Sequence, residues 1–195
     1  AFSDYGVPYF DGIINWVTEK TSTADVCIYL NADILLPPDF ESYVGQVPSG
    51  PFLVVGQRVD LKKESAFDPD DFYAELSRAL LAARAELHRP SGMDYFIFRP
   101  SMWRGLKPLL LGRGGFDSAL VAFCLRRAIP VIDASFAFPV VHQWHDYGHV
   151  DGGKERAHYG QEANFNHVTH GLRHFGLICV DAGVMMLRSA EAVGT

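Results

Sequence analysis

Three stretches of the chain gather side chains that can hold a cation, move a proton or seat a hydroxyl-bearing ligand. Asn31 and Asp33 follow the apolar run 26–30. An amide oxygen and a carboxylate two residues apart, just past a buried strand, can bind Mg2+ or Mn2+ and leave positions open for phosphate oxygens. The same pair is also ordinary turn chemistry ahead of Pro37-Pro38. Asp117 follows the glycine-rich bend Gly112-Arg113-Gly114-Gly115 and opens a helical pattern; it either presents a carboxylate to a cleft or caps the helix. The run VHQWHDYGH at 141–149 carries His142, Trp144, His145 and Asp146. It can supply an imidazole ligand, a phosphate contact and a flat indole face for a sugar ring, or it is a polar loop with core-facing aromatics. On a strand His142 and His145 point to opposite faces, which argues against a three-histidine zinc site. Asp94 can accept from ligand hydroxyls or cap its turn. Lys154, after Gly152-Gly153, can offset phosphate charge or sit in solvent.

The elements that must position these groups alternate along the chain. Apolar spacing predicts a helix over 9–20 with Tyr9, Ile13, Ile14 and Val17 on one face, then a strand over 26–30. A short helix is expected at 39–47, a strand at 52–61, and a long helix at 70–88 stopped by Pro90-Ser91-Gly92. Further strands are expected at 95–98, 131–134, 138–142 and 177–187, and helices at 117–127 and 161–174. Strand following helix in this rhythm predicts an α/β fold with a mainly parallel sheet flanked by helices, in which ligands gather at the carboxyl ends of the strands. The chain reads as one domain over 1–195, a core at 1–150 with a C-terminal extension at 151–195.

Composition narrows the partners. A chain of 195 residues that is 48% hydrophobic can bury a sizeable core. Acidic residues outnumber basic ones 23 to 17, for a formal charge of −6, with no basic cluster. Nucleic acid is therefore a poor partner, whereas a small anionic ligand is acceptable if a divalent cation neutralises it. No apolar run reaches membrane-spanning length. Cys27, Cys124 and Cys179 each sit in an apolar run and read as core thiols, which suits a reducing, cytoplasmic setting.

Taken in order, these groups resemble the GT-A glycosyltransferases over residues 5–154. The run VCIYLNAD at 26–33 is similar to the strand that ends in that fold's Asp-x-Asp motif, with Asn31 standing where the motif has Asp. The bend and helix of 112–127, followed by IPVID at 129–133, resemble the element that carries the base of inverting members. Val141-His142 resembles the later strand whose histidine completes the metal site. The resemblance implies that Asn31, Asp33 and His142 hold Mn2+ or Mg2+ and, with Lys154, the donor diphosphate. It further implies that Asp117 is the general base and that Asp94, Trp144, His145 and Asp146 line the sugar or acceptor pocket. The implied partners are a nucleotide-diphosphate sugar and a carbohydrate or other hydroxyl-bearing acceptor. Against that pattern the resemblance implies an N-terminally truncated form, either a fragment or a chain with an abbreviated nucleoside site: one helix precedes the metal-motif strand where such proteins carry further strand–helix units for the nucleoside. A metal-dependent hydrolase built on the His/Asp cluster and a non-catalytic carbohydrate-binding domain of the same fold are the alternatives.

Overall fold

The computed structural model describes residues 2–61, 67–83, 87–143, 151–172 and 184–185. Trp144, His145 and Asp146 lie outside the described residues, as does most of the strand expected at 177–187. Helix α1 (Phe10–Lys20) turns Phe10 and Ile14, one helical turn apart, into the core. Ile13, expected on the same face, is 38% exposed.

A five-stranded sheet runs β1 (Cys27–Leu30), β5 (Tyr95–Phe98), β3 (Leu53–Val55), β6 (Val131–Asp133) and β8 (Val184–Met185), in that spatial order. A three-stranded sheet has the order β2 (Ile34–Leu35), β7 (Val140–Gln143), β4 (Arg58–Leu61). The class is α/β, but the expectation of a mainly parallel sheet is corrected. Strand β5 runs against both of its neighbours and β2 runs against β7, while β3–β6, β6–β8 and β4–β7 are parallel. Apolar alternation marks a strand without marking its direction, and β5 enters the sheet from the turn at 90–94 rather than from a right-handed crossover.

Strand β5 holds the larger sheet together because it is buried on both faces. Phe96 and Phe98 pack into one core with Phe10, Leu53, Trp103 and Phe116, and Tyr95 and Ile97 pack into another with Val54, Ile132 and Phe138. Phe10 meets Tyr29, Phe98, Trp103 and Phe116 edge-on, at centroid distances of 5.5, 6.2, 6.0 and 5.3 Å, the geometry that ring quadrupoles favour.

The strand expected at 52–61 is two strands in two sheets. The chain steps between them at Gly56, where a Cβ would lie 1.9 Å from the Tyr95 hydroxyl oxygen and 3.1 Å from the Ser135 nitrogen. It makes further such steps between Leu30 and Ile34 and between Asp133 and Val140, so the two sheets share a seam that the backbone crosses repeatedly. Helices α2 (Phe40–Val44), α3 (Phe72–Ala83) and α4 (Phe116–Leu125) fall within or next to their expected ranges. Helix α5 (Gly153–Tyr159) was not foreseen, and α6 (Gln161–His170) stops short of residue 174 because Gly171 adopts φ 59° and caps it.

Candidate active site

Strand register accounts for most of the site. Leu30 pairs with Tyr95 across β1 and β5, so Asn31 and Asp94 come next on the same ladder. The Asn31 N–H donates to the Asp94 carbonyl at 3.1 Å, and the Asn31 amide Nδ2 donates to Asp94 Oδ1 at 2.9 Å. His142 pairs with Ile34 on one side and Asp60 on the other. The Gln143 N–H donates to the Asp33 carbonyl at 2.9 Å, carrying the β2–β7 ladder one residue further. Arg58 and Asp60 lie two apart on β4 and so share a face; Arg58 Nε donates to Asp60 Oδ1 at 2.8 Å.

The result is a chain of polar contacts along the seam. Asp33 Oδ2 lies 3.3 Å from His142 Nε2, and Asp60 Oδ1 lies 3.0 Å from His142 Nδ1. Arg58 Nη1 donates to Asp94 Oδ2 in a short contact. His88 Nε2 is 3.7 Å from Asp60 Oδ2. Burial pushes the Asp60 carboxyl up, but the Arg58 charge and hydrogen bond, helped by His88 and His142, outweigh it and hold the group below the usual carboxylate range.

The donors at Asp33 and His142 fit a divalent cation. Two neighbouring ligands of an octahedral ion, each about 2.1 Å from it, sit roughly 3 Å apart, close to the 3.3 Å between Asp33 Oδ2 and His142 Nε2. A carboxylate with an imidazole suits Mn2+ better than the all-oxygen preference of Mg2+. Among the described residues no three His, Cys, Asp or Glu side chains form a ready cage. Asp33 and Asp60 flank opposite nitrogens of His142 rather than converging on one point. Asn31, expected as a ligand, turns its amide to Asp94, while its Oδ1 accepts from the Tyr29 hydroxyl at 3.4 Å.

Asp117 occupies the first turn of α4 and is not its cap; Gly115, at φ 83°, holds that position. Its carboxyl is pushed well above the ordinary range by burial first, then by the charge of Asp94, with Arg58 opposing. Tyr29 is pushed up to about 12, by burial and then by Asp117, Asp94 and Asp33. The far wall is α5 and α6. Asn166, fully buried, donates to the Leu110 carbonyl at 2.9 Å and accepts from the Leu110 N–H at 2.8 Å, fixing α6 to the glycine-rich bend. Gly114 lets α5 approach the same bend, since a Cβ there would lie 2.4 Å from the His158 carbonyl oxygen. The His158 imidazole is held below its usual pKa by burial, then by Lys154 and Arg58.

Asn31, Asp33, Asp94, Asp117, His142 and Lys154 all line one cavity of about 1490 Å3. Trp144, His145 and Asp146, expected beside them, lie outside the described residues. Sequence reasoning missed Tyr29, Arg58, Asp60, His88, His158 and His167, which line the same cavity. A charged residue on each side of Val59, in a run that opens with four apolar residues at 52–55, was the signal for Arg58 and Asp60.

Fold and site define a mixed α/β domain with a carboxylate-lined cleft at the seam of two sheets. No protein-family model matches the chain, and neither a curated protein nor a solved structure matches it.

Proposed function

We propose that the protein is a divalent-cation-dependent glycosyltransferase of the GT-A type, moving a sugar from a nucleotide-diphosphate donor to a hydroxyl-bearing acceptor. The observation that supports this most directly is the Asp33–His142 pair, 3.3 Å apart, in the cavity that Asp117 also lines. Asp33 and His142 would hold Mn2+ or Mg2+, which when bound neutralises the donor diphosphate and the charge that develops on the leaving nucleotide. Lys154, at the start of α5, brings a further positive charge to the same cavity. Asp117 takes the proton of the acceptor hydroxyl as that oxygen bonds to the anomeric carbon, and the sugar–phosphate C–O bond breaks with its electron pair left on the diphosphate. Burial makes the Asp117 carboxylate, once formed, a stronger base than an exposed aspartate. Asn31 and Asp94 brace each other at the cavity wall, where Asp94 would line the sugar or acceptor pocket.

Mn2+ with uridine, guanosine or thymidine diphosphate should raise the melting temperature, because a ligand at 100 times its Kd stabilises the fold by about 2.7 kcal/mol. Asp33→Ala should abolish the shift. A hydrolase built on the His/Asp cluster near His142 would keep its metal affinity in that variant. Absence of any shift with all three nucleotides in the parent protein would overturn the proposal.

A further inference from the structure

The cavity lies where two sheets meet, and Arg58 is a side chain that ties one sheet to the other there. Arg58 belongs to β4 of the three-stranded sheet, opposite Val140 and two residues before the Asp60–His142 pair; Asp94 adjoins β5 of the five-stranded sheet, opposite Asn31. Nε of Arg58 donates to Asp60 and Nη1 to Asp94. The guanidinium is largely withdrawn from solvent, with 15% of its side chain exposed, against 13% for Asp94 and 33% for Asp60. Each carboxylate has a second engagement: Asp60 touches His142 Nδ1 at 3.0 Å, and Asp94 accepts from Asn31 at 2.9 Å.

We propose that Arg58 is the positioning residue of the site, its one guanidinium fork spanning Asp60 and Asp94 so that the His142 ring and the Asn31–Asp94 pair keep a single register across the seam. Arg58 acts through its partners. Through Asp60 it fixes the direction in which His142 Nε2 faces Asp33; through Asp94 it fixes the neighbouring wall. The planar fork is essential to this role, since a lysine ammonium at the end of a flexible stem carries the charge without the two diverging donors. The cation-binding half of the role rests on the proposed function, whereas the ordering of His142 does not.

Two readouts test it. The first is Mn2+ affinity in the presence of uridine diphosphate, followed by the electron paramagnetic resonance signal of free Mn2+. Arg58→Gln and Arg58→Lys should each weaken it by about 10- to 100-fold, the usual penalty for losing an outer partner of a metal ligand. The second is the 1H–13C spectrum of the His142 ring with no metal present, which should shift in both variants. Arg78→Gln removes an arginine paired with Asp71 on the surface, 63% exposed, and should change neither readout. Paired with Asp60→Asn, Arg58→Gln should cost less than the sum of the two single changes, as expected of residues in one network. Wild-type Mn2+ affinity in Arg58→Lys, or an unmoved His142 spectrum in Arg58→Gln, overturns the proposal. If Arg58→Gln does not fold, Arg58→Lys carries both measurements. Should the parent protein take up no Mn2+, the metal reading fails, and shifted His142 resonances would still uphold the positioning role.

Discussion

The Asp117 carboxyl is desolvated in the first turn of α4, and the neighbouring charge of Asp94 adds to that effect against the smaller pull of Arg58. Its folded pKa therefore lies above the ordinary 3.8, and the native state holds a proton that the unfolded chain gives up. The resulting stability is fully present below that value and is lost as pH climbs toward and through the raised pKa. Asp117→Asn cannot ionise, so at pH 7.5 it should be more stable than the parent by on the order of 1 kcal/mol, the usual scale of a site's conflict with its fold. Urea denaturation at pH 7.5 and pH 4 measures this: the gain should shrink at the lower pH, and an equal gain at both would assign it to packing instead of charge. Asp117 was legible in the sequence because a carboxylate after a glycine-rich bend is conspicuous. Arg58 and Asp60 were not, because an alternating charged pair on a strand also reads as a solvated face. What keeps Arg58 from solvent is Asp94, thirty-six residues further on and supplied by the other sheet.

Elements were more legible than their neighbours. Strand β5 falls where the aromatic run at 95–98 predicts it, and α1, α4 and β6 differ from expectation by one or two residues at an end. Partners were not legible, because β1 and β5 are joined in the ladder across more than sixty residues of intervening chain. Helix α5 was hidden by Gly152-Gly153, which reads as a loop until Gly152, at φ 80°, is seen to serve as its cap. The split of 52–61 into two sheets depends on Gly56, and its requirement is steric. In Gly56→Ala the new methyl would meet the Tyr95 ring, a rigid neighbour in the core, at the 1.9 and 2.7 Å contacts of its hydroxyl oxygen and Cζ. Overpacking of this kind costs about 1–3 kcal/mol. Gly50→Ala, whose Cβ would meet nothing within 4 Å, should stay within about 0.5 kcal/mol of the parent. Equal urea midpoints for the two variants would show that the seam at Gly56 tolerates a side chain.

At the scale of the whole molecule, the protein carries a formal charge of −6, and its cavity is lined by Asp33, Asp60, Asp94 and Asp117 against Arg58, Arg113 and Lys154. A nucleotide diphosphate entering alone meets Asp33, Asp60 and Asp94, and Arg58 is already committed to the last two. A cation entering alone meets the Asp33–His142 pair and, among the described residues, no cage of three ligands. On the proposed function each ligand would supply what the other lacks: the cation would offset the diphosphate charge, and the phosphate oxygens would fill the open coordination positions. Linkage requires the benefit to be reciprocal, so Mn2+ should tighten the nucleotide by the same factor by which the nucleotide tightens Mn2+, within the roughly 5- to 150-fold range of such couplings. Two calorimetric titrations, each run with and without the other ligand and corrected for Mn2+–nucleotide complexes in solution, measure both factors. The mixed carboxylate–imidazole pair further predicts a larger factor for Mn2+ than for Mg2+. A Mn2+ affinity indifferent to nucleotide would mean that the two ligands do not meet at Asp33 and His142, and the acidic cavity would then have to admit its anion by some other neutralising group.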